Sequence, residues 1–329
     1  MGAQGYAAGV RERFAYGCVY EESDMTWAGS VRYLAALAAV IIGLSATGAA
    51  PVAAASRPQP HLYLALGDSL AYGYQPDGVP STSGYTYDIA STTGLKLTDL
   101  GCPGETTNTF IAGGICSYHP YPSQLAAAVK FLSSHRNRMA LVTIDLGANN
   151  VDGCLSASGV STTCVTNGLT QVESQLPFIL AALRLAAGPK VPILAMNYYD
   201  PFLAIYWIGE ETSSASALAA ESVALDQVLS GIIQASATPS RVGVADVMDA
   251  FGTLDNTSTS CQPYLCPTPT AMVSNTDSLA NGSTLPTSVA EVCDLTWMCT
   301  AAPNIHANDI GYALIASTFE ATKGFPLTP

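Results

Sequence analysis

Charge is scarce in this chain: only 11% of its 329 residues are charged, with 12 Lys and Arg against 25 Asp and Glu, for a net charge of −13. So few cations cannot build a basic patch to neutralise phosphates, which excludes nucleic acid as a partner. The same acidity disfavours anionic lipid surfaces, while a neutral lipid or a small ester is still admitted. Histidine is rarer still, at four residues, and the nine cysteines contain no Cys-x-x-Cys knuckle, so zinc is not indicated. A Gly-rich phosphate loop, an internal repeat and a linker are all missing. The expectation is therefore a chain without cofactor or metal.

The first patterned segment runs from Val31 to Ala55: Arg32, an apolar stretch from Tyr33 to Leu44, then small residues ending Val52-Ala53-Ala54-Ala55. A charged start, a short apolar core and an Ala-x-Ala end describe a secretory signal peptide cleaved after Ala55. The alternative, a membrane anchor, is weakened by Gly43, Ser45, Thr47 and Gly48, which interrupt the apolar run. Residues 1–24 carry Glu21, Glu22 and Asp24 and fit no part of a signal, so Met25 is expected to be the translation start. The expected organisation is an upstream extension (1–24), a signal peptide (25–55) and one secreted domain (56–329). Without Cys18 the cysteines number an even eight, which in an exported chain reads as disulfides. Local loop closure suggests neighbour pairs: Cys102 with Cys116, Cys154 with Cys164, Cys261 with Cys266, and Cys293 with Cys299.

Five short apolar runs, Leu62–Leu66, Leu95–Leu100, Met139–Leu146, Val191–Asn197 and Val242–Val247, read as buried strands. Amphipathic helices are expected over Tyr85–Thr93, Ser123–Ser134, Gln171–Ala187, Ser214–Gln234 and Ala307–Thr322, where apolar residues recur at three and four. Such alternation implies a single α/β domain with a parallel sheet. Thr253–Thr287 is rich in Ser, Thr, Asn and Pro and lacks periodicity, so it is expected to be a long loop pinned by cysteines. In such a sheet the chemistry lies at the carboxyl ends of the strands.

There the first strand ends in Gly67-Asp68-Ser69-Leu70, the second leads to Gly101-Cys102-Pro103-Gly104, and the third ends in Gly147-Ala148-Asn149-Asn150. Taken singly, Ser69 reads as a helix cap, and Gly104 and Asn149 as turn residues. Of the four histidines, His306 is the best general base by elimination, because His61, His119 and His135 lie before a strand, in a Pro/Tyr-rich loop and at a basic helix end. Ser69, Gly104, Asn149 and His306 in this order resemble the four blocks of the SGNH hydrolases, the GDSL esterases and lipases, over about His61 to Thr322. Asn304-Ile305-His306 with Asn308, Gly311 and Tyr312 is similar to that family's last block.

The resemblance implies a three-layer α/β/α sandwich with a flavodoxin-like five-stranded sheet, and a serine esterase or lipase working through an acyl-enzyme. It gives Ser69 as nucleophile, His306 as base, and an oxyanion hole from the N–H groups of Ser69 and Gly104 and the amide of Asn149. Two positions depart from the family pattern, which has Asp where Asn150 and Pro303 stand. The second change removes the acid that orients the histidine, leaving a Ser-His dyad with the Pro303 carbonyl as the nearest substitute and Asp309 and Asp294 as alternative acids. Tyr72, Tyr74 and Tyr85 are candidates for the acyl pocket or for the core. The expected partner is a small-molecule, lipid or acylated-glycan ester, met by a secreted monomer not inserted in a membrane. A carbohydrate O-deacetylase is the runner-up, and an inactive glycan- or lipid-binding protein the non-enzymatic alternative.

Overall fold

Five runs rich in Leu, Ile, Val and Ala supply the centre of the protein. The computed structural model describes residues 60–326 apart from 79–81, 157–158, 209–212, 256–257 and 261–283. The strands are β1 (Leu62–Gly67), β2 (Lys96–Asp99), β3 (Met139–Asp145), β4 (Ile193–Met196) and β5 (Gly243–Ala245). They form one parallel sheet in the order β2-β1-β3-β4-β5. Every residue of β1, β3 and β4 is buried, whereas the edge strand β2 is partly exposed. Covering a parallel sheet on both faces produces this run of continuous apolar residues rather than an alternation.

The principal helices are α1 (Tyr85–Thr93), α2 (Thr107–Ala112), α3 (Gln124–His135), α4 (Thr162–Ala187), α5 (Ser213–Ala237), α6 (Thr287–Leu295) and α7 (Asp309–Ala321). Helices α3, α4 and α5 pack side by side, and α1 packs against α7. The result is the α/β/α sandwich and the flavodoxin-type strand order expected from sequence. Helix α4 buries Val172, Leu176, Ile179, Leu180 and Leu183, the three-and-four spacing of one helical face.

Helix α4 also begins nine residues before its expected start at Gln171, through a polar stretch of weak helix formers. Two local features hold that stretch: the Cys154–Cys164 disulfide, and Gly168, where a Cβ would lie 2.1 Å from the Asn150 carbonyl oxygen. Glycine is needed for the helix to approach the turn after β3 so closely.

The expected loop Thr253–Thr287 contains structure: Ser258–Ser260 pairs antiparallel with Thr284–Pro286, and α6 follows at once. Disulfides join Cys102 to Cys116, Cys154 to Cys164 and Cys293 to Cys299. The expected Cys261–Cys266 pair lies outside the described residues, as do the segments expected to be the signal peptide and the upstream extension.

Candidate active site

At the carboxyl end of β1 the chain turns sharply. Gly67 has φ +132°, and a Cβ there would meet the Asp145 carbonyl oxygen at 2.1 Å, so β1 and β3 approach each other only because this residue is glycine. The next residues coil: Asp68 Oδ1 accepts the Leu70 N–H at 2.9 Å, and the Tyr72 and Tyr74 N–H groups bond the carbonyls of Asp68 and Ser69. Ser69 is thereby presented on the first turn, only 9% exposed.

Beyond β2, the Cys102–Cys116 bridge (Cα–Cα 6.1 Å) brackets Gly104, whose φ is +81°. Among the described residues neither the Ser69 N–H nor the Gly104 N–H has a protein acceptor. Asn149 follows β3 and donates one amide hydrogen to the Glu105 carbonyl at 3.2 Å, which leaves its second N–H available. Asn150, which stands where the family pattern has Asp, accepts the Thr107 N–H at 3.0 Å and donates to the Thr107 hydroxyl at 3.0 Å. It therefore secures the start of α2.

His306 lies on a short strand, Asn304–Ala307, paired antiparallel with Thr296–Trp297. The Cys293–Cys299 bridge and a hydrogen bond from the Tyr199 hydroxyl to the Ile305 carbonyl (2.9 Å) fix this strand. Residues two apart on a strand share a face. Asn304 Oδ1 accordingly meets His306 Nδ1 at 2.6 Å and accepts the His306 backbone N–H at 3.0 Å. The Nδ1 hydrogen bond expected of the Pro303 carbonyl is thus made by the neighbouring side chain. Asp309 interacts with Gln75 at 3.4 Å, and the Asp294 carbonyl with the Asn308 amide at 2.7 Å. The Tyr74 ring packs on the imidazole with centroids 4.3 Å apart.

Ser69, Asn149 and His306 line one cavity of about 40 Å3, together with Asp68, Asp152, Tyr198, Tyr199, Phe202 and Asp226. Gly104 stands outside the lining, tied to it through the bond between Asn149 and Glu105. The Tyr198, Tyr199 and Phe202 wall was not foreseen. Tyr85 belongs to the core, where it stacks on Phe319 and donates to Asp145 at 3.1 Å. Neither Tyr72 nor Tyr74 lines the cavity.

Burial dominates the electrostatics. It lowers the pKa of His306 to about 4, because the charged imidazolium loses water and no carboxylate compensates. It raises Asp152 to about 7 and carries Asp226 well up. Asp68 and Asp145 are also raised, first by burial and, for Asp145, then by the neighbouring Asp68 charge. Burial thus makes each of these carboxyls easier to protonate than in water.

The family model described as GDSL-like Lipase/Acylhydrolase family matches residues 65–314. No curated protein matches the sequence. Solved structures similar to this chain include an extracellular lipase from Streptomyces rimosus, 20% identical, with 58% of this chain and 82% of that chain covered and a TM-score of 0.42. A phospholipase A1 from Streptomyces albidoflavus NA297 is 19% identical over 59% of this chain and 82% of that chain, with a TM-score of 0.40. A carbohydrate esterase family 2 enzyme with a carbohydrate-binding domain, from Corynascus thermopiles, is 16% identical over 60% of this chain and 58% of that chain, with a TM-score of 0.36.

Proposed function

The chain belongs to the GDSL-like lipase/acylhydrolase family, and from that premise we propose that it is a secreted serine esterase with Ser69 as nucleophile and His306 as general base. The observation that carries the reading is the convergence on one cavity of Ser69, His306 and the Asn149 amide; the Ser69 and Gly104 N–H groups, which have no acceptor among the described residues, complete the donor set, Gly104 from outside the lining.

The imidazole tautomer follows from a donor count. Asn304 presents its oxygen, because the same atom accepts the His306 backbone N–H; Nδ1 must therefore carry the proton it shares with that oxygen. Nε2 is left as the basic nitrogen, and burial keeps the ring neutral at physiological pH. Ser69 Oγ then attacks the ester carbonyl carbon while Nε2 takes its proton. The carbonyl oxygen becomes an oxyanion held by the N–H groups of Ser69 and Gly104 and by Asn149; such donors each contribute roughly 10²–10³ in rate. Nε2 returns the proton to the departing alcohol, and water, deprotonated by the same nitrogen, cleaves the acyl-enzyme to acid and free serine.

A cavity of about 40 Å3 has room for a short acyl group beside Ser69, since one water occupies roughly 10–15 Å3 on this measure. The carboxyl groups of Asp152 and Asp226 on its wall favour the second reading, deacetylation of a hydroxyl-rich glycan. Export is supported by the cysteine bridges, which persist in oxidising compartments. Mature protein is then expected to begin near Ser56.

The deciding experiment sets p-nitrophenyl esters of increasing chain length beside acetylated xylan, using the wild type and Ser69→Ala. Hydrolysis of short esters, lost in the variant, is expected. Activity confined to the glycan selects the deacetylase, and a folded but inert wild type selects a binding protein.

A further inference from the structure

We infer that Gln124, acting with Glu105, is a positioning residue that locks the nucleophile turn to the loop carrying the second oxyanion donor; this rests on the esterase reading above.

Gln124 opens α3, where a glutamine normally faces water, yet it is 0% exposed. A buried amide without partners is costly. This one is fully engaged, and its partners belong to the catalytic blocks. Its Oε1 accepts the Gly67 N–H at 2.7 Å, and its Nε2 donates to the Gly67 carbonyl at 2.9 Å. The side chain thus pairs with both backbone groups of Gly67 as a neighbouring strand would, and the Gly67 carbonyl also accepts the Cys102 N–H at 3.1 Å, which brings the loop after β2 onto the same residue. Nε2 also lies 3.0 Å from Glu105 Oε2 and 2.9 Å from the Tyr118 hydroxyl.

Gly67 is two residues before Ser69, and Glu105 directly follows Gly104. Glu105 also meets the third block, because its carbonyl accepts the Asn149 amide. All three oxyanion donors therefore hang on one hub: the Ser69 turn through Gln124, the Gly104 loop through the Glu105 backbone, and Asn149 through the Glu105 carbonyl. Among the described residues Glu105 Oε1, in a residue 1% exposed, has no hydrogen-bond partner, although Thr109 stands close enough to favour the carboxylate. Such an orphan lowers stability. A group retained at that cost is explained by geometry it imposes elsewhere. Oxyanion stabilisation needs donors fixed before the reaction, so loosening the hub weakens the transition state and leaves ester binding alone.

The test compares purified wild type, Ser69→Ala, Gln124→Met, Glu105→Leu and Glu105→Gln. Steady-state hydrolysis of p-nitrophenyl acetate, inhibition by an alkyl boronic acid and amide hydrogen exchange over residues 67–72 and 101–107 are measured, with circular dichroism for folding. Gln124→Met keeps the shape and removes the bonds. It should lower kcat roughly 10- to 100-fold with KM within about twofold, weaken boronate inhibition in step and speed exchange in both segments. Glu105→Leu should do the same, and Glu105→Gln, which keeps an acceptor for Gln124, should recover most of the loss. A folded Gln124→Met with kcat within about threefold of wild type, or with KM alone altered, overturns the inference. If Gln124→Met does not fold, the Glu105 pair decides by the same criteria, and equal loss in both Glu105 variants overturns it. If wild type hydrolyses no ester, the esterase reading fails by itself, and unchanged amide exchange in the variants then refutes the hub.

Discussion

Asn304 offers the sharpest handle on the proposed chemistry, because its one oxygen holds both His306 Nδ1 at 2.6 Å and the His306 N–H at 3.0 Å. Asn304→Ala deletes that acceptor. A neutral hydrogen bond is worth about 1 kcal/mol net, and one to a charged group about 1.5–3 kcal/mol. The imidazole is neutral before proton transfer and charged after it, so the bond strengthens by about 1–2 kcal/mol toward the transition state. Since 1.4 kcal/mol is a factor of ten, kcat/KM should fall roughly 5- to 30-fold. That is far less than a carboxylate contributes in serine proteases, where replacing the triad Asp by Asn costs about 10⁴.

Asn304→Asp tests the same contact with the opposite sign. His306 works as a base only when neutral, and in wild type it protonates as pH falls through about 4, so activity should be lost only below that point. A carboxylate against Nδ1 favours the charged ring and raises its pKa by about 1–3 units. The acid limb of kcat/KM should therefore move up by that amount, so that near pH 5 the variant is impaired while wild type is not. Initial rates on p-nitrophenyl acetate from about pH 4 to 9, read at the isosbestic wavelength of the released phenol, measure both effects. Full activity in a folded Asn304→Ala protein, or an acid limb that does not move in Asn304→Asp, would refute the role given to this side chain.

Three further outcomes are expected. Ser69→Ala and His306→Ala should each abolish nearly all ester hydrolysis, and the double variant should be no worse than either, as for groups that act as one unit; stopped assays at high enzyme concentration read this. Gly67→Ala should destabilise by about 3 kcal/mol or more in urea denaturation, because its Cβ would be driven into the Asp145 backbone at a φ that L-residues avoid. Removing the Cys102–Cys116 bridge with a pair of alanines should cost roughly 3 kcal/mol for a loop of 14-residue separation, and kcat should drop more than KM rises because Gly104 lies within that loop; thermal melting and steady-state kinetics separate the two effects.

The strands were legible because central parallel strands are buried on both faces, so Leu62–Leu66 and Met139–Leu146 need no alternation to be recognised. The polar start of α4 was not, since Thr162–Thr170 is helical through a disulfide and through Gly168 meeting Asn150, contacts that periodicity does not encode. Ser69 and Asn149 lie on the turns after β1 and β3 and His306 on a separate short strand, and the three line one cavity, as their order along the chain led one to expect. Gln124 sits 57 residues from Gly67, and nothing in its neighbourhood marks it as more than the first turn of a helix. Asn304 did carry a signal: two residues before His306, it shares a face with it on any extended segment. Missing the short strand at Asn304–Ala307 hid that relation and left the Pro303 carbonyl as the expected partner.

The amide in place of an acid fits the rest of the cavity. A carboxylate beside His306 would make the base easier to protonate, and it would add a charge to a cleft whose wall already holds Asp68, Asp152 and Asp226. Burial resolves the crowding by pushing those carboxyls up, Asp152 to about 7, so that protons rather than counter-ions limit the negative charge. The same desolvation drives the imidazole down to about 4, so the base is free of its proton under mildly acidic conditions in which part of the wall still keeps its own. In the proposed reaction an oxyanion at Ser69 would meet N–H donors, and carboxyls that burial makes easier to protonate than in water. In the proposed mechanism a neutral orienting group suffices, because Asn304 Oδ1 fixes the tautomer and direction of the buried imidazole, and a further negative charge would work against the intermediate.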